Sequence, residues 1–254
     1  MTSSSLYLMH CQPDPRRLTV WAARHGLLSP QGDWGYALHA LMRAAFGDAA
    51  PQPFSYQGER TGLLAYSSLS AAELAERAAL ASPEVAAALG LDAGLDCPGL
   101  SARAFPQQWR AGAVLGFEVR VRPVVRGKTG ERDVFIAAVE QAKAAGDQPG
   151  TDPPLQREPI YARWLAEQLA TQGGARLLDA TMNRFQLTDV VRRAQPDVDA
   201  VRKQRRVGGP DAVFSGHVQI EDPQAFAALV ARGVGRHRAF GFGMLLLKPA
   251  TRLD

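Results

Sequence analysis

Three side chains of one short segment have the chemistry to act together on a phosphodiester. Tyr36, His39 and Arg43 are spaced i, i+3, i+7, which puts a phenol, an imidazole and a guanidinium along one edge of a helix. An imidazole moves protons near neutral pH, a phenol orients or donates, and a guanidinium holds a phosphate oxygen. The alternative is an ordinary exposed pair on an amphipathic helix, and the three residues alone do not decide between the two. A second stretch carries different chemistry: Gly233-Val234-Gly235-Arg236-His237-Arg238-Ala239-Phe240-Gly241-Phe242-Gly243, followed by Met244 to Leu247. Glycine lets backbone approach an anion closely and tolerates positive φ, and Arg236, His237 and Arg238 add charge there. The plainer reading is a helix C-cap followed by a tight turn.

The elements around these residues narrow the possibilities. Trp34 to Phe46 reads as a helix, with Asp33 as a possible N-cap and Gly47 as its end. Leu38, Leu41, Met42 and Ala45 form its buried stripe. Pro223 to Arg232 reads as a helix with Phe226, Leu229 and Val230 on one face, and Met244 to Leu247 as a buried strand closed by Pro249. The glycines therefore join a helix to a strand. A dinucleotide fingerprint needs the reverse order, and a P-loop needs Gly-Lys-Ser/Thr, so both are excluded.

Along the chain, Leu6 to His10 is an expected strand and Arg16 to Leu28 a helix-compatible segment. Phe54 to Gln57 and Gly62 to Ser67 follow as strands. Ser70 to Leu80 reads as a helix with a Ser70/Glu73 capping box, and Leu95 to Phe105 is irregular but can hold a closing strand. The order strand, helix, strand, strand, helix, strand is the ferredoxin-like pattern. A second copy follows. Val114 to Val125 alternates Phe117, Val119 and Val121 with Glu118, Arg120 and Arg122, a half-buried strand with a basic outer edge. Arg126 to Arg132 is a basic, glycine-containing loop. Val134 to Ala145 and Ile160 to Gln172 read as helices, separated by an insertion at Gly146 to Pro154. Arg176 to Val191 holds two short apolar segments around Arg184. Arg192 to Gly209 is the most basic region, a solvated face or a basic hairpin arm leading into the strand Ala212 to Ile220. The expected fold class is α+β with two tandem ferredoxin-like (RRM-like) domains: residues 1–95, a linker at 96–112, and residues 113–254.

Composition sets outer limits. The 254 residues carry a net charge of +4 and are 46% hydrophobic, which suits a globular protein with a nucleic-acid partner. Two cysteines, Cys11 and Cys97, offer no disulfide framework and fit a cytoplasmic location. No secretory signal and no apolar run of ~18 residues are present, so neither export nor a membrane partner is expected. No H-E-x-x-H, H-x-x-E-H or carboxylate cluster stands at ligand spacing, so a proton-transfer pair without metal or cofactor is the simplest chemistry.

The form G-V-G-x-x-R-A-x-G-x-G before an apolar run resembles the C-terminal glycine-rich loop of the repeat-associated RNA-binding superfamily of CRISPR systems. Tyr36-Ala37-Leu38-His39, Arg122-Pro123-Val124-Val125-Arg126, Arg132-Asp133-Val134-Phe135, Tyr161 to Leu165 and Ala175-Arg176-Leu177-Leu178 extend the likeness over essentially the whole chain. Together they resemble the CasE family, the CRISPR RNA-processing endoribonuclease of type I-E Cascade. That resemblance implies metal-independent cleavage of the repeat hairpin by the RNA's own 2′-hydroxyl, leaving a 2′,3′-cyclic phosphate, and membership of the Cascade interference complex. It implies His39 as general acid or base and Tyr36 as its positioning partner, with His25 as a competing histidine. Arg43, Arg24, Lys128 and Lys203 compete to stabilise the scissile phosphate. The expected RNA contacts are Arg43, Arg126, Lys128, Arg202, Lys203, Arg205, Arg206, Gly233, Gly235, Arg236, Arg238, Gly241 and Gly243. Other readings are a non-catalytic RNA-binding subunit of the same superfamily, an ordinary RRM-like module, which the lack of an aromatic RNP strand disfavours, and a small-molecule enzyme of ferredoxin-like fold.

Overall fold

The structure is a computed structural model. It describes residues 5–28, 33–94, 98–106, 108–127, 130–145, 155–193 and 204–250. The first half contains β1 (Tyr7–Cys11), α1 (Pro15–Arg24), α2 (Gly35–Phe46), β2 (Phe54–Tyr56), β3 (Leu63–Ser67), α3 (Ala71–Ala79), α4 (Pro83–Leu89) and β4 (Ser101–Ala104). The second contains β5 (Val114–Val121), a hairpin of β6 (Val124–Gly127) and β7 (Gly130–Asp133), α5 (Val134–Ala144), α6 (Arg157–Gly173), β8 (Ala175–Arg193), β9 (Gln204–Ile220), α7 (Pro223–Arg232) and β10 (Leu246–Pro249). The two main sheets are antiparallel and run β2-β3-β1-β4 and β10-β5-β9-β8. In each, the last strand lies beside the first, and the third separates the first from the second. This is the ferredoxin-like arrangement, repeated.

Local sequence accounts for the helix boundaries. The Asp14 carboxylate accepts from the Arg16 and Arg17 amides at 2.8 and 3.1 Å. Ser70 and Glu73 form the expected capping box, and Asp222 accepts from the Gln224 and Ala225 amides at 2.9 and 3.1 Å. Trp34 stands at the N-cap of α2 without a side-chain bond, while Asp33, one residue earlier, accepts from the Gly35 amide at 3.0 Å.

Two cores result. Leu38, Leu41 and Met42 of α2 pack with Met9, Phe54, Leu63 and Leu74. Phe117, Val119 and Phe214 pack with Trp164, Leu165, Leu169, Phe226 and Leu229. Each fully buried side chain of this size contributes about 1.5–3 kcal/mol, so the buried stripe fixes the rotation of α2 and leaves the Tyr36–His39–Arg43 edge outward. Tyr66 joins the halves: it leaves the first sheet, is buried in the second core, and donates from its hydroxyl to the Leu245 carbonyl at 2.8 Å.

Several sequence expectations need amendment. β4 is the closing strand expected within Leu95 to Phe105, so the stretch read as a linker contains it, and α4 (Pro83–Leu89) is a helix the sequence reading did not name. The two segments expected around Arg184 are one strand, β8, with register irregularities at Leu177/Asp179 and Met182/Arg184; a bulge bends a strand without ending it. The last strand begins at Leu246, with Met244 and Leu245 buried ahead of it. Most consequential, β5 has no basic outer edge. Arg122 is 1% exposed and donates to the Thr188 carbonyl at 3.0 Å. Arg120 forks onto the fully buried Asp211 carboxylate at 2.9 and 2.7 Å. Its guanidinium also lies 4.3 Å from the Phe242 ring centroid. The glycine loop and the root of β8–β9 cover this part of the face, so Arg120 is ion-paired and Arg122 hydrogen-bonded inside.

β9 meets β5 only from Ala212 onward, so 186–193 and 204–211 continue as a two-stranded ribbon, about 25 Å long at ~3.3 Å per residue. The basic run leads into this ribbon. The insertion at Gly146 to Pro154 lies outside the described residues. Among the described residues, no helix is long and apolar enough to cross a membrane.

Candidate nucleic-acid site

The exposed edge of α2 faces the glycine loop. Tyr36 and His39 lie with ring centroids 6.2 Å apart. The Phe240 ring, at the middle of the loop, sits 5.6 Å from Tyr36 and 5.3 Å edge-on from His39. Gly35 lies directly against the Phe240 carbonyl, where a Cβ would collide. The two motifs singled out from sequence, some 200 residues apart, therefore meet at Phe240.

The loop is built from α7 outward. Gly233, Gly235, Gly241 and Gly243 all have positive φ. At Gly243 the reason is plainest: with φ 77° its amide donates to the Arg120 carbonyl at 2.6 Å and its carbonyl accepts from Val234 at 2.8 Å. A Cβ there would strike the Val234 carbonyl. Gly243 thus serves the loop's own close packing, while Gly235 and Gly241 leave room for the Trp164 and Phe54 rings. His237 takes the left-handed conformation at φ 60°, where His is tolerated better than most residues. Its buried ring meets the Glu131 carboxylate at 2.5 Å, and Arg236 donates to the same carboxylate at 3.0 Å. Glu131 lies on β7, so the loop is tied to the β6–β7 hairpin.

The loop also lines a groove of about 610 Å³ with Gln52, Arg232, Arg236 and Arg238 on its walls. Arg238 donates to the Arg232 carbonyl at 3.2 Å and pairs with no carboxylate among the described residues. Burial, then the Arg232 cation, lower its pKa from the ordinary arginine value, yet an arginine stays charged in any protein. A desolvated guanidinium beside a second one is a receptor for an anion.

The five histidines differ sharply in their bonding. His10 meets the Thr61 carbonyl at 2.8 Å, His25 the Trp21 carbonyl at 2.8 Å, His217 the Asp179 carboxylate at 2.9 Å and His237 the Glu131 carboxylate. His25 is also stacked on Trp21 at 4.1 Å. The His39 ring alone has no hydrogen-bond partner among the described residues, and it is only partly buried. Burial lowers its pKa below the usual 6.5, and the Arg43 guanidinium lowers it further, so the imidazole is neutral and able to accept a proton at neutral pH.

The remaining residues expected from sequence divide by place. Arg43 lies one turn beyond His39 and pairs with the exposed Asp48 at 2.5 Å. Arg24 pairs with Glu84 at 2.8 Å, away from this edge. Arg126 is exposed on β6. Arg205 and Arg206 belong to β9, opposite Arg192 and Val191. Lys128, Arg202 and Lys203 lie outside the described residues. The sequence reading did not single out Phe240 or Glu131; the signal for Phe240 was the Ala-Phe-Gly-Phe-Gly spacing that holds two rings between glycines. Among the described residues no group of three or more His, Cys, Asp or Glu side chains is placed to hold a metal ion.

Tandem ferredoxin-like units, with a Tyr-x-x-His helix packed on a basic glycine loop, define the class of protein. A family model described as CRISPR associated protein matches residues 6–249, and the chain belongs to that family. Among solved structures, CRISPR endoribonuclease Cse3 bound to 19 nt RNA matches with a TM-score of 0.60 at 17% identity, covering 96% of this chain and 100% of that one. Thermus thermophilus Cse3, bound to an RNA representing a pre-cleavage complex, gives 0.55 at 18% identity over 96% and 100% of the two chains. A chain of a CRISPR RNA-guided surveillance complex, pre-nicking, gives 0.51 at 17% identity over 96% and 100%. At these identities the likeness is one of fold. No curated protein matches the sequence.

Proposed function

We propose that this protein is a metal-independent endoribonuclease that cuts the repeat hairpin of precursor CRISPR RNA. In this reading it acts in the cytoplasm and remains with the hairpin as a subunit of a Cascade interference complex. The first ferredoxin-like unit carries the catalytic helix, and the second carries the glycine loop and the basic ribbon. The observation that carries the reading is the place of His39: its ring, without a hydrogen-bond partner among the described residues, lies beside Tyr36 and the loop's Phe240, where burial and Arg43 lower its pKa. Family membership and the fold of Cse3 bound to RNA support it from a separate direction.

His39 takes the proton of the 2′-hydroxyl as the 2′-oxygen bonds to phosphorus. The bond from phosphorus to the 5′-oxygen breaks, and that oxygen leaves after taking a proton from Tyr36 or solvent. The products are a 2′,3′-cyclic phosphate and a 5′-hydroxyl. Positive charge from Arg43, Arg236 and Arg238 offsets the charge that develops on the phosphorane. A-form stems hide their major-groove edges and are gripped through shape and backbone, which suits the basic side chains of the loop and Arg126 on β6; Lys128, Arg202, Lys203, Arg205 and Arg206 are proposed RNA contacts on the charge of their sequence alone.

The test is incubation of the repeat RNA from the organism's own array with the full chain in excess EDTA, followed by mapping of both new ends. A single cut with a cyclic phosphate and a 5′-hydroxyl is expected. Tight binding without cleavage would mark a non-catalytic subunit, and loss of cutting in EDTA would mark a metal-dependent enzyme.

A further inference from the structure

The side chain that joins the two halves at this site is Arg120, on the second sheet. Its Nε and Nη2 hold the Asp211 carboxylate at 2.9 and 2.7 Å. The same Nη2 reaches the Asp33 carboxylate of the first half at 2.6 Å. Asp33, at 11% side-chain exposure, uses its other oxygen to accept from the Gly35 amide at 3.0 Å, in the first turn of α2. Arg120 also supports the loop, through the Phe242 ring under its guanidinium at 4.3 Å and through its own carbonyl, which accepts from Gly243 at 2.6 Å. One residue thus holds both the leading end of the helix that bears Tyr36 and His39 and the loop that bears Phe240.

We propose that Asp33 and Arg120 are positioning residues for the cleavage step: their ion pair sets the α2 edge against the glycine loop, and so aims His39. This rests on the nuclease reading above and adds a role to two residues outside the Tyr36–His39 pair. The buried stripe of α2 fixes the helix to the first core only, and that core does not include the loop. Without the Asp33–Arg120 bond, no hydrogen bond or ion pair among the described residues ties α2 to the second half, and packing is left to hold the two together. The close approach of Gly35 to the Phe240 carbonyl leaves little tolerance for a shift there. Reacting groups displaced by ~1 Å can lose about 10²-fold in rate. The fork geometry matters too, because a lysine is a point charge that cannot serve two carboxylates in one plane.

The discriminating variant is Asp33→Asn, which keeps the shape and one acceptor. Its amide nitrogen is a donor, so it satisfies either the Gly35 amide or Arg120 but not both. Arg120→Lys is the second variant and leaves a cation beside Asp211. Each is measured with the full chain in three ways: single-turnover cleavage at saturating enzyme, Kd for a hairpin carrying 2′-deoxy at the cut site, and thermal melting. The expected result is a fall in rate of about tenfold or more, with Kd held within about twofold. A rate equal to wild type overturns the role, as does a loss of rate matched by an equal loss of binding. A wild type that binds but never cuts overturns the nuclease reading, and this role with it. A wild type that cuts, with both variants equally fast, overturns this role alone.

Discussion

Replacing His39 with alanine separates chemistry from folding, and the structure gives both magnitudes. On the stability side, the ring is partly buried and meets Phe240 edge-on at 5.3 Å, a contact worth about 0.5–1.5 kcal/mol. It has no hydrogen-bond partner among the described residues, so its removal orphans nothing and avoids the ~1–3 kcal/mol cost of an unsatisfied buried group. On the chemical side, losing a general base costs about 10²–10⁴ in rate, or roughly 3–5 kcal/mol of barrier. His39→Ala should therefore melt close to wild type and bind the hairpin as well, yet cut at least about a hundredfold more slowly in single turnover. His237→Ala serves as the contrast, because it strips the Glu131 carboxylate of a bond at 2.5 Å and should lower stability. The reasoning is refuted if His39→Ala cuts within about threefold of wild type, or if its lost activity only tracks lost folding.

Other outcomes follow from the same geometry. The cleavage rate should fall as pH drops through the depressed His39 pKa, below 6.5, and Arg43→Gln should move that limb upward by removing one of its two causes; an unmoved limb would contradict this. Because the folded-state pKa lies below the unfolded one, His39 favours the fold fully above pH 6.5, and that contribution is lost as pH falls. Arg238→Glu should weaken hairpin binding and flatten its salt dependence by about 0.7–0.9 for each phosphate no longer neutralised, and charge reversal at Arg205 and Arg206 should act in the same direction; an unchanged slope would leave these as solvated charges. Gly243→Ala forces a side chain into φ 77° against the Val234 carbonyl and should cost about 1–3 kcal/mol, visible as a lower Tm; an unchanged Tm would contradict the packing described for the loop.

Much of the fold could be read from periodicity. The α2 stripe, the Ser70 capping box, the α7 face and the helix-to-strand order of the glycine motif all appear as the residues imply. What periodicity missed has physical causes. α4 is short and alanine-rich between Pro83 and Gly90, so it carries little amphipathic signal. β8 continues through Arg184 because a bulge absorbs the irregularity. Alternation in β5 placed Phe117, Val119 and Val121 inside correctly, but it sent Arg120 and Arg122 outward. A strand's second face is polar only when water covers it, and here the glycine loop and Asp211 do. Asp211 follows Gly208-Gly209-Pro210, a run that by itself reads as a turn. The site was legible as two separate motifs. Their meeting at Phe240, and the lack of a hydrogen-bond partner for His39 among the described residues where four other histidines are bonded, depend on contacts that no local spacing encodes.

The central claim is that the RNA supplies its own nucleophile and His39 activates it. It is tested most directly by a repeat hairpin carrying a single 2′-deoxy sugar at the scissile nucleotide, compared with the all-ribose hairpin. The account predicts that the deoxy hairpin binds with the same affinity and is not cut. Cleavage of the deoxy hairpin at the same position would contradict it, since the attacking oxygen would then have to come from water.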